Sequence, residues 1–557
     1  MKAIKKILHE PLFYLLLLLV LIWFWIIPAK PNISDVVLTI DGTSYSAESF
    51  PISTYKIREH SNFSISLNIK DSKNSVYKFY PDDCILSIEV NGKAFPQEMV
   101  KKPCDYNNGT VLDLSEYMQE GLNRIELQIR NDGGPGGFRM EIPYNGFKSF
   151  IFTLFLLFSI ALILRKFKFE FIAISIILLG IVVRIILYSY TGPMQYSYDI
   201  GGHLQYIQII SEEKRLPKSN EGWSTFQPPL YYVISAVIKN ITDRYDTNLT
   251  NRILQQENLL ISFVCVILGV ALILNLFGNS RVAYLAALVS VLWPGFVIAA
   301  PRINNDSLFY LGALLCMLFA QKYWRLQKNS DMLLASIGAS IALAGKSTGF
   351  IILGIWIAIY IFSVVRVSKF GSLRTLFASA FIVALFVGFS NYRAIVDIFE
   401  GKKLGLVGNT EGLDVSLRVN NTLGNYLYFD LQDYMLESYT SSRGVKGGRQ
   451  YFWNYSLKTS LFGEFRFWDS PVGEVFAIAL SILALLIFMF ALWGIIHAKF
   501  IDLPPLLSVI FLFIGLIYLR FSYPYSCSND FRFKILAYTS MLLFVMLSFL
   551  FIVGQAL

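Results

Sequence analysis

Apolar runs of transmembrane length recur along this chain. Most are roughly 17–24 residues long, and about 20 helical residues cross the hydrocarbon core of a bilayer. The composition agrees, because 55% of the 557 residues are apolar and only 16% are charged, against about 25% charged residues in soluble domains. The sequence therefore predicts a multi-pass α-helical membrane protein, with membrane lipids among its partners.

The basic residues predict the orientation of the spans. The net charge is +9, but Lys and Arg cluster in short loops such as RKFKFE at 165–170, as in cytoplasmic loops. This pattern does not indicate a nucleic-acid partner, and it predicts about twelve spans with both termini inside. The predicted spans lie near 11–28, 147–164, 171–190, 258–277, 281–299, 306–322, 332–346, 349–365, 373–391, 473–496, 504–520 and 535–554.

The N-terminal region changes character after its first span. We interpret 1–29 as a retained anchor, because its apolar run is long for a signal peptide and no small-x-small cleavage site follows. Residues 30–146 then lie outside, and short alternating segments such as CILSIEV at 84–90 predict a β-sandwich or jelly roll. If this domain is extracytoplasmic, Cys84 and Cys104 can form a disulfide.

Asp199 lies just past the span at 171–190, which leads outward from a basic loop. His203 follows four residues later, so on a helix both side chains share one face. A carboxylate beside an imidazole suits general-base work on a hydroxyl, or ligation of a divalent ion such as Mg²⁺ or Mn²⁺. A plain helix cap is the alternative for Asp199. Apart from such an ion, the sequence predicts no cofactor.

The run Gln227-Pro-Pro-Leu-Tyr-Tyr follows in the same external loop. Its two prolines set an extended turn, with a simple helix start as the alternative. The apolar residues 229–238 are too few to cross a bilayer, so we expect them to lie against the membrane surface or to re-enter it. Gln227 and Tyr231 are candidate substrate-binding residues.

Asp306 and Lys346 lie at two other external span ends. Asp306 is placed either as a helix N-cap or as the second acid of a site for a charged substrate. An ionisable residue at a span end is a functional hypothesis for Lys346, with snorkelling as the alternative. The surrounding GKST sequence is not a nucleotide phosphate loop, because Ser340 stands where that motif requires its first Gly.

Further charged candidates lie on the external side. The last external loop carries the run Asp530-Phe531-Arg532-Phe533-Lys534, and Arg302 follows an earlier span. Guanidinium and ammonium groups near the membrane surface bind lipid phosphate. Glu464, in the FGEF sequence just before a span, is a further external acid that could bind substrate or replace Asp199 as the base.

The order and the membrane side of these motifs resemble the GT-C superfamily of membrane glycosyltransferases, which use polyprenyl-phosphate sugars. The type looks like the family-39 group, with protein O-mannosyltransferases and bacterial aminoarabinose transferases. Asp199 matches the acid of the first external loop, Asp306 the second acid, and Lys346 a lysine after a mid-chain span. The late acid-aromatic-Arg-aromatic run matches 530–533, while Gln227 stands where many members of the group have Lys before the two prolines.

The resemblance covers 171–557, and the segments before it are additions to the usual core of the superfamily. Together with the patterns above, it gives the expected division of the chain. Residues 1–29 are the anchor, 30–146 the extracytoplasmic β-domain, and 147–170 a second anchor span with its cytoplasmic loop. Residues 171–557 form a GT-C-like catalytic domain with external loops at 191–257 and 392–472.

The resemblance also implies an inverting transfer. Asp199 takes the proton of an acceptor hydroxyl on a glycan, lipid or protein, and polyprenyl phosphate leaves with its charge stabilised by Lys346 and Arg532. Asp306 and His203 orient the acceptor or hold an ion. The expected location is a bacterial or archaeal plasma (inner) membrane, with the site on its extracytoplasmic face. A transporter or flippase for a lipid-linked or sugar substrate is the alternative, although transporter sites usually lie at mid-membrane.

Overall fold

The protein divides into two compact units, Met1–Phe167 and Lys168–Leu557. The predicted spans near 11–28 and 535–554 lie outside the part of the chain that the structure describes. This computed structural model describes residues 33–46, 52–54, 57, 61–70, 75–105, 109–132, 136–141, 146–193, 195, 197, 199–242, 247–366, 370–399, 415–440, 448–465, 470–496 and 503–529.

The first unit contains two antiparallel sheets, as the alternating segments predict. Six strands follow the order β2-β1-β4-β9-β6-β7, and four follow the order β3-β10-β5-β8. The strands are β1 Ile33–Ile40, β2 Thr43–Ser46, β3 Ile52–Thr54, β4 Ser61–Lys70, β5 Val76–Pro81, β6 Cys84–Val90, β7 Lys93–Ala94, β8 Thr110–Asp113, β9 Leu122–Asn131 and β10 Gly136–Glu141.

The two sheets share one hydrophobic core. Burial alternates along β4 and β9, because successive side chains of a strand point to opposite faces. Phe63 of one sheet and Tyr77 of the other are buried in the same cluster, so the predicted β-sandwich is confirmed. Cys84 and Cys104 form the expected disulfide, which ties the start of β6 to the loop before β8.

The second unit is almost entirely helical, and α1 precedes it in the first unit. The helices are α1 Gly146–Lys166, α2 Phe171–Tyr190, α3 Ile200–Glu213, α4 Leu230–Thr242, α5 Thr247–Phe277, α6 Arg281–Leu292, α7 Pro294–Ala299, α8 Asp306–Leu326, α9 Asn329–Gly345, α10 Gly349–Arg366, α11 Phe370–Phe399, α12 Leu423–Leu427, α13 Leu431–Leu436, α14 Phe452–Phe462, α15 Pro471–Ile496 and α16 Leu503–Ser522.

Five helical segments of the described residues are long and apolar enough to cross a membrane, so the chain is an integral membrane protein. Helix α4 is shorter than a span and exposes the apolar residues Ile234, Val237 and Ile241. The total of about twelve spans stays a prediction. The five segments are Phe171–Tyr190, Thr250–Phe277, Leu373–Tyr392, Pro471–Phe490 and Pro504–Ser522.

The span predicted at 281–299 is two helices in the structure. Helix α6 ends at Leu292 and α7 begins at Pro294, since proline has no N–H to continue the helical hydrogen bonds. The buried Arg184 of α2 donates from Nη1 to the carbonyl of Val291, 2.8 Å away. The arginine therefore satisfies a backbone group at the end of α6.

Helices α8 and α9 form an antiparallel hairpin, and the two helices cross at Gly312 and Gly338. A Cβ on Gly312 would lie 2.3 Å from the Ala342 nitrogen, and one on Gly338 would lie 2.3 Å from the Cys316 nitrogen. Small residues allow two helix backbones to approach this closely. The hairpin consequently brings the first residue of α8, Asp306, to the same end as the residue that follows α9.

Candidate active site

Gln227 connects three loops at one end of the helices. Its side-chain Oε1 accepts hydrogen bonds from the backbone nitrogen of Ser347 at 3.3 Å and from Ser347 Oγ at 3.1 Å. The Nδ2 group of Asn305 lies 3.5 Å from the same oxygen and donates to the carbonyl of Gly345 at 2.9 Å. The Pro-Pro segment, the turn before α8 and the turn after α9 thus meet at the Gln227 amide.

Asp306 and Lys346 form a buried ion pair at this junction. Lys346 Nζ contacts Asp306 Oδ1, and the side chains are 7% and 4% exposed. Asp306 is the first residue of α8 and not its N-cap, which is Asn305. Lys346 is the C-cap of α9, so the acid and the base also complement the dipoles of their helices. The structure thus brings the two predicted residues together, and each neutralises the charge of the other.

Tyr231 of α4 is fully buried and is linked to this junction by hydrogen bonds. Asn258 Nδ2 of α5 donates to the Tyr231 hydroxyl at 2.8 Å, and Ser307 Oγ donates to Asn258 Oδ1. The network therefore runs from α4 through α5 to the residue beside Asp306. The structure gives Tyr231 a place in the packing of the site, and its predicted substrate contact stays a prediction.

Asp199 lies at the N-cap position of α3 in the left-handed region, with φ of 54°. Asp is one of the few residue types that adopt this conformation readily. Its side chain makes no capping hydrogen bond, so the plain-cap alternative does not account for the carboxylate. Instead, Trp223 Nε1 donates to Asp199 Oδ1 at 2.9 Å.

His203 lies one helical turn further along α3. Its Nδ1 is 2.9 Å from the hydroxyl of Tyr232, whose ring stacks on Tyr206 at 3.8 Å between centroids. Burial raises the pKa of Tyr232 well above its usual range, and the charges of Asp306 and Asp199 contribute in the same direction. The Tyr206 hydroxyl in turn donates to the carbonyl of Gln227 at 3.3 Å, so a chain of contacts runs from His203 through Tyr232 and Tyr206 to Gln227.

Arg302 and Glu464 lie beside α14. The guanidinium carbon of the buried Arg302 is 4.9 Å from the centroid of the Phe465 ring, and Tyr455 donates its hydroxyl to Glu464 Oε1. Both candidates are thus held by aromatic partners. Arg302 precedes Asp306 by four residues along the chain.

Three candidates, Asp530, Arg532 and Lys534, lie outside the residues that the structure describes. Within the described ranges, no group of three or more His, Cys, Asp or Glu side chains is placed to hold a metal ion. The pairing of Asp199 with His203 as ion ligands therefore stays a prediction.

Sequence reasoning missed several residues of this site. Glu257 and Asn258 are buried polar residues at the start of the span predicted at 258–277, and such residues are functional hypotheses by default. Glu257 accepts a hydrogen bond from Ser235 at 2.8 Å. This signal could have identified the α5 network, whereas nothing local to Trp223 indicates that it contacts Asp199.

The comparisons with known proteins give structural likeness only. No protein-family model matches the chain, and no curated protein matches it. Among solved structures, the chain is similar to the oligosaccharyltransferase AglB of Archaeoglobus fulgidus in complex with an inhibitory peptide and a dolichol-phosphate, at 14% identity and a TM-score of 0.41. That match covers 69% of this chain and 51% of AglB.

A second structure of the Archaeoglobus fulgidus oligosaccharyltransferase, tethered to an acceptor peptide, gives 13% identity and a TM-score of 0.39 over 69% of this chain and 50% of that one. The chain is also similar to the arabinosyltransferase EmbB of Mycobacterium smegmatis, at 12% identity and a TM-score of 0.31. That match covers 86% of this chain and 52% of EmbB. By their names, these neighbours are an oligosaccharyltransferase and an arabinosyltransferase. The chain spans about half the length of the structures it matches.

Proposed function

We propose that this protein is a membrane glycosyltransferase that moves a sugar from a polyprenyl-phosphate donor to an acceptor hydroxyl on the extracytoplasmic face. The observation that carries the proposal is the buried Asp306–Lys346 pair beside Gln227. Asp199 lies at the start of α3, the helix whose Tyr206 donates to the carbonyl of Gln227. The Asp199 side chain does not cap this helix and accepts a hydrogen bond from Trp223, whereas Asp306 is buried against Lys346. Two carboxylates of one site in different environments suit different roles.

The proposed reaction is a single displacement. The Asp199 carboxylate accepts the proton of the acceptor hydroxyl, whose oxygen forms a bond to the anomeric carbon. The bond from that carbon to the phosphate oxygen breaks on the opposite face, polyprenyl phosphate leaves, and the anomeric centre is inverted. Positioned cations stabilise the charge that develops on the leaving phosphate, a role that we assign to Lys346 and Arg532.

The ion pair refines the role of Lys346. Because its ammonium already contacts Asp306, we propose that the lysine is shared between that carboxylate and the donor phosphate. Gln227 is part of the same junction and is proposed as a donor contact. Arg302, four residues before Asp306, is proposed as a second donor contact, and Glu464 is proposed to bind substrate from the α14 side. The acceptor is a glycan, a lipid or a protein.

The central test is Asp199→Asn, which keeps the size of the side chain but removes a useful base. General-base catalysis contributes about 10²–10⁴-fold, so transfer should fall at least about a hundredfold while binding of the donor lipid stays near wild type. The assay incubates purified protein with a labelled polyprenyl-phosphate sugar and measures free polyprenyl phosphate. Glu212→Gln is the matched control, since Glu212 is an exposed acid of the same helix.

Two further variants assign the neighbouring residues. Asp306→Asn should give a smaller loss if Asp306 orients substrate. His203→Ala separates ion ligation from orientation, because only ion ligation makes the activity sensitive to chelators. Wild-type transfer by Asp199→Asn would move the base to Asp306 or Glu464. If none of these acids mattered, the alternative of a transporter or flippase would be favoured.

A further inference from the structure

We propose that Trp223 is the positioning residue of Asp199, and that its indole N–H sets the direction in which the carboxylate meets the acceptor hydroxyl. The inference rests on the proposed function, because it gives Trp223 a role only through the base. The indole Nε1 donates to Asp199 Oδ1 at 2.9 Å, across 24 residues of sequence. An indole N–H is a donor and never an acceptor, so it holds one carboxylate oxygen without competing for the proton.

The backbone of Asp199 leaves its side chain available for this contact. A normal N-cap has extended dihedral angles and turns its side-chain oxygen back to the first helical N–H groups. Asp199 has φ of 54° and ψ of 22°, and it makes no such bond. The start of α3 therefore does not hold the carboxylate by capping, whereas the Trp223 indole contacts it directly.

Gly202 allows Trp223 to approach the first turn of α3. A Cβ at Gly202 would lie 2.9 Å from the Cβ of Trp223 and 2.7 Å from Ser224 Oγ. Both distances are shorter than real Cβ contacts, so a larger residue would displace the 223–224 segment. The close packing at this glycine thus sets the distance between the indole and the carboxylate.

The segment that carries Trp223 is held on both sides. Glu221 accepts from both Nη groups of Arg215 and from the backbone nitrogen of Lys218, and the Arg215 guanidinium lowers the pKa of Glu221 to about 2. After the tryptophan, the buried Thr225 donates to the carbonyl of Gly222 at 2.9 Å. The indole is consequently presented from a fixed loop, as a positioning contact requires.

The test compares Trp223→Phe with the wild-type full-length protein in the transfer assay. The substitution keeps an aromatic ring and removes the N–H. A small misplacement of a reacting group can cost about a hundredfold in rate, and we expect kcat to fall about tenfold to a hundredfold with the KM for the donor lipid unchanged. Trp356→Phe is the matched control, because it also removes an indole N–H bond, to Ser336 Oγ at 3.0 Å, and should leave transfer at the wild-type rate.

A double-mutant cycle decides whether Trp223 acts through Asp199. In an Asp199→Ala background the indole has no carboxylate to orient, so Trp223→Phe should cost nothing further. An equal loss in both backgrounds would show a merely structural tryptophan and overturn the proposal. A wild-type kcat for Trp223→Phe would also overturn it.

A tryptophan analogue covers the case in which Trp223→Phe fails to fold. If Trp223→Phe does not fold, a tryptophan analogue with sulfur in place of the indole N–H, incorporated at position 223, keeps the ring shape; wild-type kcat with this analogue refutes the proposal. Failure of the inference is distinct from failure of the proposed function. Full activity of Asp199→Asn would refute the assignment of Asp199 as the base. An inactive Asp199→Asn together with a fully active Trp223→Phe would refute only the positioning role of the tryptophan.

Discussion

Removing the cation of the buried ion pair should destabilise the protein much more than removing both charges. Lys346→Met keeps a long unbranched side chain but leaves the Asp306 carboxylate, 4% exposed, without its ammonium partner. Breaking a buried pair by removing one partner costs about 3–5 kcal/mol. Asp306 retains a hydrogen bond from Asn304 Nδ2 at 3.3 Å and its place at a helix N-terminus, so we expect the lower end of that range.

The double variant Asp306→Asn with Lys346→Met removes both charges. It should lie within about 1 kcal/mol of the wild type, since replacing both members of a buried pair is often neutral. The assay is thermal unfolding of the purified protein in detergent, followed by the helical circular dichroism signal. For the single variant a loss of about 3 kcal/mol corresponds to a fall in Tm of roughly 3–6 °C, because the shift per kcal/mol decreases with chain length.

Lys328→Met is the control, because this exposed lysine lies in the turn of the same α8–α9 hairpin. Surface substitutions usually stay within about 0.5 kcal/mol of the wild type. The reasoning fails if Lys346→Met unfolds at the wild-type temperature, or if the double variant loses as much as the single one. A double variant that regains stability but not donor use would separate the structural role of the pair from its proposed role in phosphate binding.

Three further predictions follow from other parts of the molecule. Gly338→Ala should lower Tm and transfer together, because its Cβ would lie 2.3 Å from the Cys316 nitrogen and push α9 away from α8; unchanged melting would contradict this close crossing. Burial raises the pKa of Asp82 from 3.8 to about 6, so the unfolding free energy of the β-domain should fall as the pH rises from about 4 to about 6. Chemical denaturation at pH 3.5 to 7 measures this pH dependence, and Asp82→Asn should remove it. An impermeant thiol reagent applied from outside should label a cysteine placed at Asn220 and not one placed at Lys168, and the reverse pattern would overturn the predicted topology.

Local patterns were sufficient to predict several elements of this fold. The span predicted at 171–190 has the bounds of α2, Phe171–Tyr190, because an apolar run flanked by polar residues leaves few alternatives in a bilayer. The strand predicted at 84–90 coincides with β6, since period-two alternation is strictly tied to the pleat. The prediction of one span at 281–299 overlooked Pro294, whose effect depends on its position within an otherwise apolar run.

The composition of the site was decided by tertiary structure. Asp306 and Lys346 were each predicted as external, but their pairing across 40 residues follows from the glycine crossing of α8 and α9. Gln227 contacts Ser347 across 120 residues. Trp223 contacts Asp199 because Gly202 has no side chain that would displace the tryptophan. Hydrophobic periodicity and charge bias specify which side of a membrane a residue occupies, because these are properties of single segments. Which polar side chains contact each other on that side depends on how closely the segments pack. The distances between segments are set by tertiary packing, which no single segment determines.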